Sequence, residues 1–217
     1  MAACLFALCG TAHAEDNDLQ SWLTGVVKLK LSEDWHAALE ATGRFGDDLS
    51  RLTTNQFKGA LIYNVTPAVS AGAGYGYSVN HKPSGDVEEH RIWQDIQWKP
   101  ESAAMTSIAL RTRLEQRFID AGNDVALRLR QQARATRPLH EGGATYVYGA
   151  AEGFFNLNDT DWGAESGFEK MRLSGGLGFG MTKQIKMEAG YLNEYRPRSG
   201  APDKVNHVLT MTWTFKP

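Results

Sequence analysis

The chain has 217 residues, is 42% hydrophobic and 22% charged, and carries a formal net charge of −2. That is the length of one domain, and so small a charge gives no global pull toward nucleic acid. Mean hydropathy is −0.40, and no stretch beyond the N-terminal segment approaches the roughly 20 apolar residues of a membrane helix; a helical membrane protein is excluded, but a β-barrel, whose alternation averages out, is not.

In chain order, residues 5–10 form a short apolar run and Ala12-His13-Ala14 reads as a cleavage site, so residues 1–14 are expected to be a signal peptide and Glu15 the mature start. No basic segment precedes the apolar run, which suggests a truncated start. Cys4 and Cys9 both lie in the leader, so residues 15–217 are expected to form a barrel with no thiol and no disulfide.

About eleven alternating segments follow, each roughly 9–12 residues, near the length a tilted membrane strand needs. In Trp22–Leu31, Leu23, Val27 and Leu29 oppose Thr24, Lys28 and Lys30. In Trp35–Phe45, Leu39 and Phe45 oppose His36, Glu40 and Arg44. Asn55–Val65 sets Phe57, Leu61 and Tyr63 against Gln56, Lys58 and Asn64, before a tight turn at Thr66-Pro67. Val69–Val79 sets Tyr75 and Tyr77 against Gly72, Gly74 and Gly76, and residues 81–85 read as a longer loop.

Glu88–Trp98 sets Ile92, Ile96 and Trp98 against Glu89, Arg91 and Asp95. The clearest alternation comes next. Between Ile108 and Phe118, Leu110 and Leu114 share one face while Arg111, Arg113, Glu115 and Arg117 share the other. After Asp120–Asp124, Leu127 and Leu129 oppose Arg128, Arg130 and Arg134. Tyr146–Phe155 carries Glu152, and residues 156–167 read as a polar loop. Met171–Met181 sets Leu173, Leu177 and Phe179 against Arg172 and a second glycine column, Gly176, Gly178 and Gly180. Ile185–Tyr195 carries Glu188 and Glu194. Asn206–Phe215 sets Leu209, Met211, Trp213 and Phe215 against three threonines.

Side chains alternate along a strand, so each segment has one apolar and one polar face. An arginine facing lipid at mid-membrane costs about 2–4 kcal/mol, and several such residues would exceed a typical folding stability of about 5–15 kcal/mol. In a barrel these arginines therefore face the lumen. By the same parity Arg44, Arg91, Arg111, Arg113, Arg117, Arg128, Arg130, Arg134 and Arg172 share it with Glu40, Glu89, Asp95, Glu115, Glu152, Glu188 and Glu194. The glycine columns are expected to leave room for arginines crossing from other strands. Trp22, Trp35, Tyr63, Trp98, Tyr191, Trp213 and Phe215 are expected to face outward near strand ends, as interfacial girdles do. Both ends of a bacterial barrel at one rim require an even strand count, so twelve strands, rather than ten, are expected, with short and longer connections alternating.

The segments Glu89-His90-Arg91-Ile92-Trp93-Gln94, Arg111-Thr112-Arg113-Leu114-Glu115-Gln116-Arg117-Phe118, Arg128-Leu129-Arg130, Glu152-Gly153-Phe154-Phe155-Asn156, Gly175-Gly176-Leu177-Gly178 and Gly190-Tyr191-Leu192-Asn193, with Trp22, Arg44-Phe45 and Arg172, resemble the bacterial family named domain of unknown function 2490. The resemblance covers nearly the whole mature chain. It implies a barrel similar to those of the outer membrane and carries no established activity. The sequence departs from an outer-membrane insertion signal in ending Phe215-Lys216-Pro217 rather than on an aromatic residue; Phe215 is the candidate substitute.

No nucleophile-elbow, zinc-helix, Walker or zinc-finger spacing occurs. Gly72-Ala73-Gly74-Tyr75-Gly76 lies in a strand and does not open a helix, which argues against a phosphate loop. Asn64-Val65-Thr66 fits a glycosylation sequon but is discounted in a bacterial-looking exported chain. His36 shares a face with Glu40, a possible base pair for a barrel-embedded hydrolase, but no serine is placed beside it.

The sequence thus reads as an all-β, single antiparallel transmembrane barrel of the Gram-negative outer membrane. Three functions are compatible: a narrow polar passage weakly favouring anions, a non-conducting structural or interaction barrel with a salt-bridged lumen, and a membrane-embedded hydrolase. The passage is the main expectation and an enzyme is not expected. The partners expected are outer-membrane lipid, the barrel-insertion machinery and a small anionic solute; no cofactor, metal or nucleic acid is expected.

Overall fold

The computed structural model describes residues 15–101 and 105–217; the leader and cleavage site expected at residues 1–14 lie outside the described residues. The described chain is strand and turn throughout: β1 (Glu15–Lys30), β2 (Trp35–Gly46), β3 (Arg51–Asn64), β4 (Val69–Lys82), β5 (Gly85–Trp98), β6 (Ser107–Ile119), β7 (Ala126–Pro138), β8 (Thr145–Asn156), β9 (Gly167–Gly180), β10 (Ile185–Arg196) and β11 (Asp203–Phe215). Each is a run of alternating or β-branched and aromatic residues, the composition a pleated two-faced surface favours.

The strands close into one barrel in sequence order. Consecutive strands are antiparallel, while β1 and β11 pair in parallel from Glu15↔Asp203 to Val27↔Phe215. The count is therefore eleven, not the twelve expected. An odd number closes only when the first and last strands run the same way, and the two ends of the barrel then leave from opposite rims. The upper rim carries Glu15 and the connections 47–50, 83–84, 120–125, 157–166 and 197–202; the lower rim carries Phe215, the connections 31–34, 65–68, 139–144 and 181–184, and the facing ends of β5 and β6 at Trp98 and Ser107. Short and long connections do not alternate, contrary to expectation. The longer loop expected at 81–85 is a two-residue turn, because β4 runs to Lys82 and β5 starts at Gly85. Gly85 has a φ of 120°, a conformation costly for any other residue.

The barrel is inside-out relative to a soluble domain. Among the described residues 12 polar or charged residues are buried, including Glu89, Glu115, Arg128 and Glu152, against seven hydrophobic ones. The exterior displays 33 large hydrophobics, among them Leu39, Phe57, Leu61, Ile96, Leu173 and Leu209. An exposed apolar surface of that extent marks a contact with something other than water.

The glycine columns make room for aromatic rings rather than for arginines. A Cβ on Gly74 would lie 2.3 Å from the Trp93 ring, one on Gly178 2.0 Å from the Tyr146 ring, and one on Gly190 2.4 Å from the Tyr148 hydroxyl. These three inward aromatics fill the lumen from β5 and β8. Parity could not announce them, since each occupies a polar-face position.

Gly178→Ala should therefore destabilise the folded barrel by about 1–3 kcal/mol through overpacking. Gly25→Ala, where an added methyl meets nothing within 4 Å, should leave the urea midpoint of the refolded protein unchanged.

Candidate functional site

Register decides which lumen side chains meet. Two pairs of like charges stand directly opposite each other, Arg91 with Arg117 and Arg113 with Arg130. Such pairs repel, and here each is bridged or drawn apart by carboxylates. Glu89 accepts Arg91 Nε at 2.8 Å and Arg117 Nε at 2.6 Å on one oxygen. Asp95 takes Arg113 (Nη2, 2.5 Å), while Glu115 and Glu152 take Arg130 at 2.6 Å each.

From there the pairs form one chain across five strands. Glu152 Oε1 accepts Arg111 and Arg130; Glu115 accepts Arg130 and Arg128; Arg128 also reaches Glu169 at 2.9 Å. Glu169 holds Arg196 at 3.2 Å, and Glu194 holds Lys170 at 3.2 Å and Arg172 at 2.6 Å. Charged hydrogen bonds this short, with most lone pairs used, are the geometry in which buried ions are tolerated. Phe154, 1% exposed, lies inside this chain with Arg130, Arg172, Lys170 and Arg128 at 4.6, 4.8, 5.1 and 5.4 Å from its ring. The ring face offers negative charge density to all four cations.

Glu89 with its two arginines and two further groups lie apart from the chain. Arg134 and the Tyr146 hydroxyl both donate to Glu188 Oε1, at 2.7 and 2.8 Å. Lys58 donates to Glu40 at 2.6 Å, and both remain partly exposed, at 23% and 32%. Every lumen residue expected from parity thus faces inward, and all but Arg44 take part in an ion pair. Lys170 and Glu169 were missed because β9 begins at Gly167, four residues earlier than the alternation suggests, and Arg196 because β10 runs one residue past Tyr195. A register shift at Phe154/Phe155 on β8 hides the start of β9.

Two other expectations are corrected. Trp22 faces the lumen, 9% exposed, with Arg44 and Arg172 at 4.1 and 4.8 Å from its ring; the apolar positions beside it, Leu19 and Leu23, hold the outer face. The remaining girdle residues do face outward: Trp35, Tyr63, Trp98, Trp213 and Phe215 toward the lower rim, Tyr191 toward the upper. His36 meets Asn64 at 3.0 Å, while Glu40 takes Lys58, so the His36–Glu40 base pair does not form.

The upper half of the lumen opens into a cavity of about 890 Å³. Its lining holds 11 Lys and Arg side chains against four glutamates, Glu89, Glu165, Glu169 and Glu194. Adding Glu115 and Glu152, which stand behind Arg128 and Arg130, still leaves a strong positive excess. The 157–166 loop forms part of this wall and is clasped to the 120–125 turn. Asp161 accepts the backbone N–H groups of Asn123 (2.9 Å) and Asp124 (3.2 Å), Asp124 accepts Asp161 N–H, and Trp162 Nε1 donates to the Asp124 carbonyl. The clasp sets Trp162 over the cavity, 5.2 Å from Arg117. The Asn123 and Asp124 amides hold the Asp161 carboxyl below its ordinary value of 3.8.

Comparison with known proteins agrees with this architecture. The family model described as a protein of unknown function, DUF2490, matches residues 19–206. An uncharacterised protein of Methylorubrum extorquens is 32% identical over 211 residues, covering 96% of this chain and 92% of its own. A crystal structure of the NanC porin superposes with a TM-score of 0.52 over 85% of this chain and 90% of its own, at 12% identity, which is a likeness of fold.

Glu152→Ala leaves Arg111 and Arg130 short of a partner in a place 7% exposed. It should cost about 3–5 kcal/mol, read as a lower urea midpoint. The clasp has the sign of a lowered carboxyl: it is complete above the ordinary carboxyl value and lost as pH falls through the lower folded one. Quenching of Trp162, isolated by comparison with Trp162→Phe, should rise below about pH 4 and should be high at neutral pH in Asp161→Ala.

Proposed function

Because the chain belongs to the DUF2490 family, whose description assigns no activity, we propose its role from the barrel itself: a narrow polar passage across the outer membrane of a Gram-negative cell, favouring small anions. The carrying observation is the upper cavity, with 11 basic side chains against four acids along its wall. Fixed positive charge in a low-dielectric wall concentrates anions and excludes cations. The porin-like fold supports a passage, and the apolar exterior with aromatic residues toward both rims supports a lipid surround. Lipid and the barrel-insertion machinery are then the constant partners, and a small anionic solute the transient one.

Below the cavity the lumen is uneven. The β6–β10 side is filled by the ion-paired chain, whereas the β1–β3 side carries Thr24, Thr42, Lys58 and Glu40, with Lys58 and Glu40 partly exposed. A non-conducting barrel is the second reading, favoured by the unbroken chain of pairs from Arg111 to Arg172.

The refolded mature protein should migrate faster unheated than boiled, require detergent for extraction, and give anion-selective steps in planar bilayers. Arg130→Gln and Arg113→Gln should weaken the anion preference. Silence across a range of salt concentrations, with folding confirmed by the migration shift, would favour the non-conducting barrel; recovery as a monodisperse soluble protein would exclude both.

A further inference from the structure

Among the described cations lining the upper cavity, Arg44 and Lys82 form no ion pair; Lys82 is exposed at the rim, whereas Arg44 has its Nε shielded from solvent. Arg91 and Arg117 lie on Glu89, Arg128 and Arg130 on Glu115, Lys170 and Arg172 on Glu194, and Lys58 on Glu40. Among the described residues no carboxylate lies within ion-pairing distance of Arg44. Its one hydrogen bond runs from Nη2 to Gln56 Oε1 at a long 3.4 Å, and its Nε is shielded from solvent with no partner at all. A guanidinium has five donors in a planar fork, so most of this one is unused. The group lies 4.1 Å from the Trp22 ring centre, which orients it and excludes water from one side.

A partly shielded cation in no ion pair is an arrangement folded proteins avoid. It persists here on the wall of a water-accessible cavity, beside Gln56, which lines the same wall. The missing member is an anion supplied from outside. Two convergent donors of a fork match two oxygens of one group, as in a carboxylate or a phosphate, and not a spherical halide. Lys82, which also lines the cavity and forms no ion pair among the described residues, stands at the upper end of β4, where an entering anion first meets the wall.

We propose that Arg44, backed by Trp22 and flanked by Gln56, is an oxyanion-binding seat that takes the carboxylate or phosphate group of a small solute. The inference rests on the anion-passage reading and makes that passage selective for oxyanions over chloride.

The test uses the refolded mature protein in a non-ionic detergent, with thermal unfolding followed by loss of the compact gel band. Sodium phosphate and sodium acetate are compared with sodium chloride at equal ionic strength. A ligand that binds only the folded form raises the midpoint. The wild type should rise in phosphate, in acetate or in both; the arm that responds identifies the group. In Arg44→Gln the apparent affinity should fall about tenfold or more, the loss of a charged hydrogen-bonding group. The midpoint in chloride should not fall, because the group removed is uncompensated. Gln56→Glu gives a second variant: its carboxylate fills the seat from within, which should raise the midpoint in chloride and abolish the oxyanion response. An oxyanion response equal in wild type and in both variants, or none in the wild type, overturns the seat. Anion-selective conductance with no Arg44-dependent binding overturns the seat and leaves the passage; Arg44-dependent binding without conductance does the reverse.

Discussion

The pairing of buried charge is the constraint on which the rest of this barrel depends. Arginines from β5, β6 and β7 alternate with the apolar residues of the exterior and so point into the lumen, where they require acids at hydrogen-bond distance. The register supplies these from neighbouring strands: Glu115 faces Arg128 across β6 and β7, and Asp95 faces Arg113 across β5 and β6. A slip of one residue in any of these strands would turn its charged set outward. The ion network therefore specifies register as a hydrophobic core would in a soluble protein, and does so from the inside. The gain is one of specificity as much as stability, since paired buried ions roughly break even against apolar packing while broken pairs are costly.

Aromatic rings complete what the charges cannot. Phe154 gathers four cations around one ring, Trp22 carries Arg44 and Arg172, and Trp93 lies over the Gly74–Gly76 column with Arg113 at 4.7 Å. Phe154 and Trp22 each stand between like charges, and Trp93 meets Gly74 and Gly76, where a side chain would clash. The ion-paired chain thus fills the β6–β10 side of the lumen, while Trp22, Thr42, Thr54 and Gln56, all buried, line the β1–β3 side.

The loops add polarity along the barrel axis. At the upper rim, the clasp between Asp161 and the 120–125 turn brings Trp162 and Glu165 onto the cavity wall. The 47–50 turn, in which Asp47, Asp48 and Leu49 all take positive φ, is held against β1 by bonds from Asp48 N–H to Asp18 and from Leu49 N–H to the Leu19 carbonyl. The lower rim has its aromatic side chains outside, with Trp35 and Tyr63 5.0 Å apart. A basic cavity at one end and an aromatic belt at the other give the barrel a direction.

What the sequence determined by itself was whatever depends on the two-residue period: strands throughout, one apolar and one charged face, and the inward set from Arg44 to Glu194. That period is a local property of the backbone, so Arg111-Thr112-Arg113-Leu114-Glu115 declares its faces without any knowledge of its neighbours. What only the tertiary structure decided was everything that depends on which strands close on each other. The parallel β1–β11 seam fixes an odd count. The shift at Phe154/Phe155 draws Glu169 and Lys170 inside. Trp22, on the inward face by alternation, meets two arginines converging from β2 and β9, and Arg44 is left without an ion pair because each carboxylate nearby is already held by another cation. Pairing is a relation between distant segments, and a single alternating segment carries no record of its partner.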